Sequence, residues 1–284
     1  MTVESSNRCL SLVVFGGILL PMIVLFIVIT SIARAADSEL RDLIVQNHIE
    51  YLPTRQGSFP TLIAIPGCSG ISSSNPATDA ANPDLREDDL LFRRHYRSMA
   101  EKFRDQGFAV LLIDIHTAEG LLTACGGGLK SERIAEYINE TVTWAKSLPF
   151  VDTTQIHVIG WSMGGGGVLA WLHGPRSAAD AVSSVVVVYP GCNESKPLNI
   201  SKPILMLLGG ADDIAIPSVC EDLAKISPVR RLIVLRTYPN ARHGYDIPDA
   251  PPMLDIGNGM SVGYQKEAAE ASWQQILTFL SASQ

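Results

Sequence analysis

The chain has 284 residues, a length that suits one large α/β domain, and its 46% hydrophobic content is ordinary for a globular protein. Its net charge of -7 at pH 7 is not accompanied by any block of basic residues. This charge pattern argues against a nucleic acid as partner.

The first segment in chain order is an uncharged apolar run, residues 9–33, which follows Arg8. The A-x-A triplet at residues 33–35 resembles the cleavage site of a secretory signal. The run is longer than the roughly 7–15 residues of a usual signal core and is long enough to span a bilayer. We therefore predict that residues 1–36 are a cleaved signal peptide or, alternatively, an uncleaved membrane anchor. Residues 37–284 are then an exported domain, periplasmic, secreted or tethered to the membrane by that segment alone.

Four cysteines lie outside the leader, at positions that do not match the spacing of a zinc site: Cys68, Cys125, Cys192 and Cys220. An even set in an oxidising compartment predicts disulfides, although buried free thiols are the alternative. Four cysteines allow three different pairings, and the residues alone leave these open. We expect no metal in this protein.

After the leader, apolar runs of strand length alternate with helical patterns. Strands are predicted at Thr61–Gly67, Phe108–Asp114, Ile156–Gly160, Ala181–Gly191, Pro203–Gly210 and Arg231–Pro239. Helices are predicted at Asp88–Gly107, Ser131–Leu148, residues 164–174 and Gly263–Ala282. Continuous apolar strands between helices predict an α/β fold with a mostly parallel sheet covered by helices on both faces.

Three long segments follow predicted strands: Ser69–Glu87, His116–Lys130 and Gly244–Met260. In parallel sheets, functional groups gather in the loops at the carboxyl ends of the strands. We therefore expect these three segments to form the substrate pocket, with His116 as a candidate substrate contact.

The sequence VIGWSMGGGG, residues 158–167, contains G-x-S-x-G between a predicted strand and a predicted helix. No Lys-Ser or Lys-Thr follows the glycines, which excludes a phosphate loop. The motif predicts a sharp turn with Ser162 at its tip as a nucleophile. Gly160 and Gly164 fit this turn because only very small residues are tolerated two positions before and after the serine.

A serine hydroxyl needs a base, and the base needs an acid that orients it. With this motif the expected chain order is serine, acid, histidine. His243 follows the last predicted strand, where the base should lie. For the acid we predict Asp213, because Asp213 fits the turn pattern G-x-x-D-x-x-x-P together with Gly210 and Pro217. Asp212 is the alternative, but it needs Gly209 as the glycine and a displaced proline.

The oxyanion of an acyl-transfer intermediate needs two backbone donors. The N–H of Met163, directly after the nucleophile, is expected to be one of them. The N–H of Cys68, in the turn AIPGCSG after an earlier strand, is our prediction for the other.

Several segments occur in the order seen in dienelactone hydrolase-like proteins of the α/β-hydrolase superfamily: IPGCSG, RDQGFAVLLID, LPFVDTTQIHVIGWSMGG, YPGC, GADDIAIPSVC and YPNARHGYD. The resemblance runs from about residue 60 to residue 280. It implies an α/β-hydrolase fold and a Ser162–Asp213–His243 triad. It also implies disulfides between Cys68 and Cys125 and between Cys192 and Cys220.

The chain departs from that family pattern at two points. Authentic dienelactone hydrolases use a cysteine nucleophile where this chain has Ser162, and many relatives have His-Gly where it has Pro66-Gly67. Dienelactone itself is therefore not the expected substrate.

Together these features predict a serine hydrolase that cleaves a carboxylic ester or lactone through an acyl-enzyme, without a metal or an organic cofactor. An acyltransferase or serine peptidase on the same fold is the alternative. A non-catalytic, membrane-attached binding module is disfavoured, because the chain has all the parts of a triad.

Overall fold

The computed structural model describes residues 38–71, 76–174, 179–192 and 197–283. The chain divides into two compact units, Met1–Glu39 and Leu40–Gln284. The predicted leader, residues 1–36, lies outside the described residues, so both the leader and the domain boundary stay predictions. Within the described ranges, no helix has the length and apolarity that crossing a membrane requires.

The second unit contains a seven-stranded sheet. Its strands are β1 (His48–Tyr51), β2 (Phe59–Ile65), β3 (Ala109–Ile113), β4 (Val151–Trp161), β5 (Ser184–Val188), β6 (Ile204–Gly209) and β7 (Ile233–Tyr238). Across the sheet the order is β1-β3-β2-β4-β5-β6-β7. All neighbours pair in parallel except β1, which pairs antiparallel with β3 at one edge. The predicted mostly parallel sheet is confirmed; the edge strand β1 was not predicted.

Helices cover both faces of this sheet. The helices are α1 (residues 38–46), α2 (Pro76–Ala80), α3 (Glu87–Asp105), α4 (Ile115–Ala118), α5 (Ser131–Ala145), α6 (Met163–Leu172), α7 (Pro217–Ile226) and α8 (Lys266–Ala282). Alternate residues of a strand point to opposite faces: Ile63 and Ile65 pack with α5 and α6, whereas Leu62 and Ala64 pack with α3 and α8. This two-sided burial explains why the strands are apolar at every position rather than at every second one.

The predicted loop Gly244–Met260 contains most of a hairpin. Strands β8 (Leu254–Gly257) and β9 (Met260–Val262) pair antiparallel, apart from the main sheet. Asn258 and Gly259 join them, with φ values of 56° and 74°. Asn-Gly with positive φ at both residues is the preferred two-residue hairpin turn, so the sequence contains a local signal for this hairpin, which was not among the predicted elements.

Both disulfides expected from the family resemblance are present, Cys68–Cys125 and Cys192–Cys220. The alternative of free thiols at these positions is therefore wrong. Disulfides persist in oxidising compartments, and their presence agrees with export from the cytoplasm.

Candidate active site

Ser162 occupies a strained turn between β4 and α6. Its backbone has φ 50° and ψ -120°, a conformation that residues with side chains rarely adopt. The turn is tight: a Cβ on Gly160 would lie 2.7 Å from the carbonyl oxygen of Gly164, and a Cβ on Gly164 would collide with the carbonyl oxygens of Ile65 and Pro66. The two glycines are therefore required sterically, and the turn presents the Ser162 hydroxyl at the carboxyl end of the sheet.

His243 lies in the loop after β7, as predicted, and its Nε2 is 2.8 Å from Ser162 Oγ. The β9 strand holds this loop, because His243 forms a bridge with Val262 and its carbonyl oxygen accepts a 3.0 Å hydrogen bond from the N–H of Gly263. The imidazole is 4% exposed and packs against the ring of Tyr189, with 4.7 Å between the ring centroids. These contacts orient the imidazole toward the nucleophile.

The carboxylate that contacts His243 is that of Asp212, and the prediction of Asp213 is wrong. Asp212 Oδ2 lies 2.8 Å from His243 Nδ1. Its other oxygen accepts hydrogen bonds from the backbone N–H groups of Ile214 and Ala215, at 2.9 and 2.8 Å. Asp212 is 5% exposed, so this carboxylate is both buried and fully hydrogen-bonded.

Asp213 points away from the histidine, toward the hairpin. Its carboxylate accepts hydrogen bonds from the backbone N–H and the hydroxyl of Ser261, and it lies 3.6 Å from the guanidinium of Arg242. Burial raises the pKa of Asp213, but the two hydrogen bonds from Ser261 and the Arg242 charge outweigh it and hold that pKa below its ordinary value. The G-x-x-D part of the turn pattern therefore begins at Gly209, the last residue of β6, and its aspartate is Asp212 rather than Asp213.

The two predicted oxyanion donors both lie beside the nucleophile. Met163 begins α6, directly after Ser162. Cys68 follows Gly67, where an added Cβ would lie 3.2 Å from Ser162 Cβ. Within the part of the chain that the structure describes, neither N–H donates to another protein group. Two backbone N–H groups are therefore free to bind an oxyanion formed at Ser162.

A cavity of about 270 Å³ opens onto Ser162 and His243. Each of the three predicted pocket segments contributes to its wall: Ser69 and Arg86 from the first, Cys125 from the second, and Ile256, Asn258 and Met260 from the third. Residues of α3 also line the cavity, and they were missed: Asp88, Phe92 and Tyr96. Their sequence pattern is that of an ordinary amphipathic helix, which carries no signal for a pocket.

The interior of the cavity is mainly apolar, with Phe92, Ile214, Ile256, Met260 and Val262 among its lining residues. Charge is present as an ion pair, because the guanidinium of Arg86 lies 2.5 Å from the carboxylate of Asp88. Burial and the neighbouring Asp89 raise the pKa of Asp88 despite the opposing effect of Arg86.

A buried polar cluster lies behind the nucleophile. Asp246 Oδ1 accepts a 2.7 Å hydrogen bond from Tyr189 Oη, and its Oδ2 accepts one of 3.3 Å from Trp161 Nε1. His95 Nε2 lies 3.3 Å from the same oxygen. Burial raises the pKa of Asp246, but His95 and the Tyr189 hydroxyl outweigh it and hold this pKa below its ordinary value. Asp246 thereby anchors Trp161, which precedes Ser162, and Tyr189, which packs against His243.

His116 does not line the cavity. It is 2% exposed, and its ring packs against the backbone of Gly70, where an added Cβ would lie 3.1 Å from His116 Cγ. Burial lowers the pKa of this imidazole, which favours the neutral form. Among the described residues, no group of three or more His, Cys, Asp or Glu side chains is arranged to hold a metal ion.

Comparisons with known proteins agree with this architecture. The model of the dienelactone hydrolase family matches residues 92–283. A search of curated proteins finds no match. The fold is similar to that of P91, a dienelactone hydrolase-like promiscuous phosphotriesterase from metagenomic libraries, with a TM-score of 0.64, 16% identity and coverage of 83% of this chain and 91% of that one.

Two further solved structures show how widely this fold is shared. A protein from Klebsiella pneumoniae subsp. pneumoniae MGH 78578 assigned to the dienelactone hydrolases has a TM-score of 0.58 and 14% identity, covering 82% of this chain and 92% of that one. Dipeptidyl peptidase 4 from Porphyromonas gingivalis has a TM-score of 0.52 and 14% identity, and the match covers 82% of this chain and 33% of that one. At these identities the likeness concerns the fold alone.

Proposed function

Because this chain belongs to the dienelactone hydrolase family, we propose that it is a serine hydrolase that cleaves a carboxylic ester or lactone through an acyl-enzyme. The observation that carries the proposal is the continuous chain of hydrogen bonds Ser162–His243–Asp212, with 2.8 Å at each step. Nucleophile, base and orienting acid are thus in reach of one another before any substrate binds.

In the proposed reaction, the Ser162 hydroxyl donates its proton to His243 Nε2 and its oxygen attacks the ester carbonyl. His243 Nδ1–H donates to Asp212, which holds the imidazole in the required tautomer and stabilises the imidazolium that forms. The N–H groups of Cys68 and Met163 stabilise the oxyanion, often the largest single contribution to such catalysis. His243 then protonates the leaving alcohol. In the second half of the reaction His243 takes a proton from water, the water oxygen attacks the acyl-enzyme, and His243 returns the proton to Ser162 as the acid product leaves.

The cavity supports a small substrate with an apolar portion. Its volume of about 270 Å³ is slightly below the roughly 300–1,000 Å³ of pockets that hold drug-sized ligands. Arg86, the one Lys or Arg among the described lining residues, is paired with Asp88 and is therefore not an unpaired cation that would select a carboxylate. We therefore propose neutral esters with a short acyl chain as the substrate class.

A fluorophosphonate probe tests the assignment of the nucleophile. The wild-type protein is expected to be labelled at Ser162, and Ser162→Ala is expected to lose the label. Ser69→Ala is the matched control, because Ser69 is a buried serine that lines the same cavity. Folded wild-type protein that stays unlabelled would contradict the proposed function.

A panel of p-nitrophenyl esters of increasing acyl length then tests the substrate class. We expect kcat/KM to be highest for short chains and to fall once the chain outgrows the cavity. Adding an alcohol or an amine as a competing acceptor separates a hydrolase from an acyltransferase, since transfer to the acceptor at the expense of hydrolysis would contradict the proposal.

A further inference from the structure

The active-site cavity contains a buried tyrosine hydroxyl with no assigned role. Tyr96, from helix α3, is 1% exposed and lines the cavity together with Ser162 and His243. Among the described residues its Oη forms no hydrogen bond of standard geometry, although the Gly67 backbone and the Ser69 hydroxyl lie close to it. Leaving a buried hydroxyl without a good hydrogen bond is energetically unfavourable, so its presence needs an explanation.

The Tyr96 hydroxyl lies on the side of the cavity where the oxyanion would form. A Cβ added to Gly67 would collide with Tyr96 Oη and would also lie 3.2 Å from Ser162 Cβ. The hydroxyl and the nucleophile therefore lie against the same short stretch of backbone. The next residue along that stretch is Cys68, which supplies one of the two proposed backbone donors.

The tyrosine is held rigidly and stays protonated. Its ring packs against Trp161 and His95, with 5.7 Å between centroids in each case, and against Phe92 at 6.4 Å. Burial raises the pKa of Tyr96 well above its ordinary value, and contacts with the Gly67 backbone and the Ser69 hydroxyl offset this only in part. At neutral pH the side chain is thus a preorganised O–H donor, the kind of group that stabilises a developing charge.

We propose that Tyr96 is a catalytic residue whose O–H donates a third hydrogen bond to the oxyanion of the tetrahedral intermediate, beside the N–H groups of Cys68 and Met163. This inference rests on the proposed function and deepens it. No proton is transferred: the tyrosine keeps its hydrogen throughout, and His243 alone serves the nucleophile and the leaving group.

The test is Tyr96→Phe, which removes only the hydroxyl and keeps the packed ring. Tyr245→Phe is the matched control, because Tyr245 is also fully buried, its Oη forms no hydrogen bond of standard geometry with the described residues, and it does not line the cavity. With a short-chain p-nitrophenyl ester we expect kcat of Tyr96→Phe to fall about 10- to 100-fold, with KM within about twofold of wild type. Tyr245→Phe is expected to retain the wild-type kcat.

Thermal unfolding separates a catalytic from a structural role. Since the hydroxyl forms no hydrogen bond of standard geometry with the described residues, Tyr96→Phe is expected to unfold at the wild-type temperature or above. Binding of a trifluoromethyl ketone, which forms an oxyanion on Ser162, is expected to weaken by the same factor as kcat. A kcat within twofold of wild type, or an equal loss in Tyr245→Phe, would overturn the proposal.

Esters with different leaving groups test whether Tyr96 acts on the carbonyl oxygen or on the leaving-group oxygen. A donor to the oxyanion is expected to matter equally for a p-nitrophenyl ester and for an alkyl ester of the same acid. A loss seen only with the alkyl ester would place Tyr96 at the leaving group and overturn the assignment. Failure of the proposed function itself is distinguishable, because wild-type protein would then neither react with fluorophosphonate nor cleave any ester, and the assignment of Tyr96 would fail with it.

Discussion

The nucleophile turn, residues 160–164, and the acid turn, residues 209–213, are built alike. Each follows a central parallel strand, β4 or β6, and each depends on glycines that pack against other backbone. They differ in what selects the functional residue. In the first turn a single serine occupies the strained position, whereas the second turn contains two adjacent aspartates that its sequence pattern does not distinguish correctly.

Local sterics are sufficient to select the functional residue in the nucleophile turn and insufficient to select it in the acid turn. Gly160 and Gly164 are close neighbours in sequence, and their contacts lie partly within the turn itself. Asp212 and Asp213, by contrast, are distinguished by partners on distant segments: His243 for the first, and Ser261 with Arg242 for the second. Three predictions test this difference, in order of expected effect.

The largest effect is expected from the two aspartates. Asp212→Asn removes the charge that orients and stabilises His243, and kcat should fall by about 10⁴-fold. Asp213→Asn, its matched control, should leave kcat within a few-fold of wild type, because this carboxylate only ties the turn to the hairpin. Steady-state kinetics with one ester decide the matter. Equal losses in the two variants would remove the distinction between the aspartates.

The glycines of both turns should prove equally intolerant of a side chain. In Gly164→Ala the new Cβ meets the carbonyl oxygens of Ile65 and Pro66, and in Gly210→Ala it meets the backbone of Pro239 at 2.7 Å. Because backbone cannot move aside cheaply, each variant should lose about 3 kcal/mol of unfolding free energy or fail to fold. Chemical denaturation measures this loss.

Gly191→Ala provides the control for these variants, since an added Cβ there meets no atom of the described residues within 4 Å. It should unfold with near wild-type free energy. A stable Gly164→Ala protein with wild-type activity would show that the nucleophile turn is less constrained than its contacts indicate.

The smallest effect should come from the two disulfides, one beside each turn. Cys68–Cys125 holds the segment with the proposed oxyanion donor, and two contacts reinforce it: the carbonyl oxygen of Cys68 accepts 2.7 and 3.2 Å hydrogen bonds from the Ala124 N–H and the Thr123 hydroxyl. Cys192–Cys220 joins the segment after β5 to α7, the helix that follows the acid turn. Replacing both cysteines of either pair by alanine should reduce stability, because the unfolded chain becomes less constrained.

The two double variants should differ in activity. Without Cys68–Cys125 the donor N–H is held less firmly, and kcat should fall by about tenfold, a fraction of the loss expected when a donor is removed outright. Without Cys192–Cys220 the kcat of the folded protein should be unchanged. An unaltered kcat in the first variant would mean that the hydrogen bonds alone position this donor.

Much of the architecture was predictable because its causes are local. Continuous apolar runs of strand length predicted the sheet, and helices with one apolar face predicted the layers that cover it. The G-x-S-x-G motif between strand and helix predicted the position of Ser162. His243 was predictable because chain order left one histidine in a loop after the last strand. The hairpin of β8 and β9 was also signalled locally, by Asn258-Gly259, although that signal was overlooked.

The sequence by itself determined where Ser162 and His243, the proposed nucleophile and base, lie, since steric demands within a few residues and chain order allow few alternatives. Tertiary structure alone decided between Asp212 and Asp213, because the choice depends on which carboxylate faces a histidine 31 positions away. Tertiary structure also brought Phe92 and Tyr96 to the cavity wall. The pattern of an amphipathic helix states only that a face is buried, and what covers that face is set by the packing of distant segments.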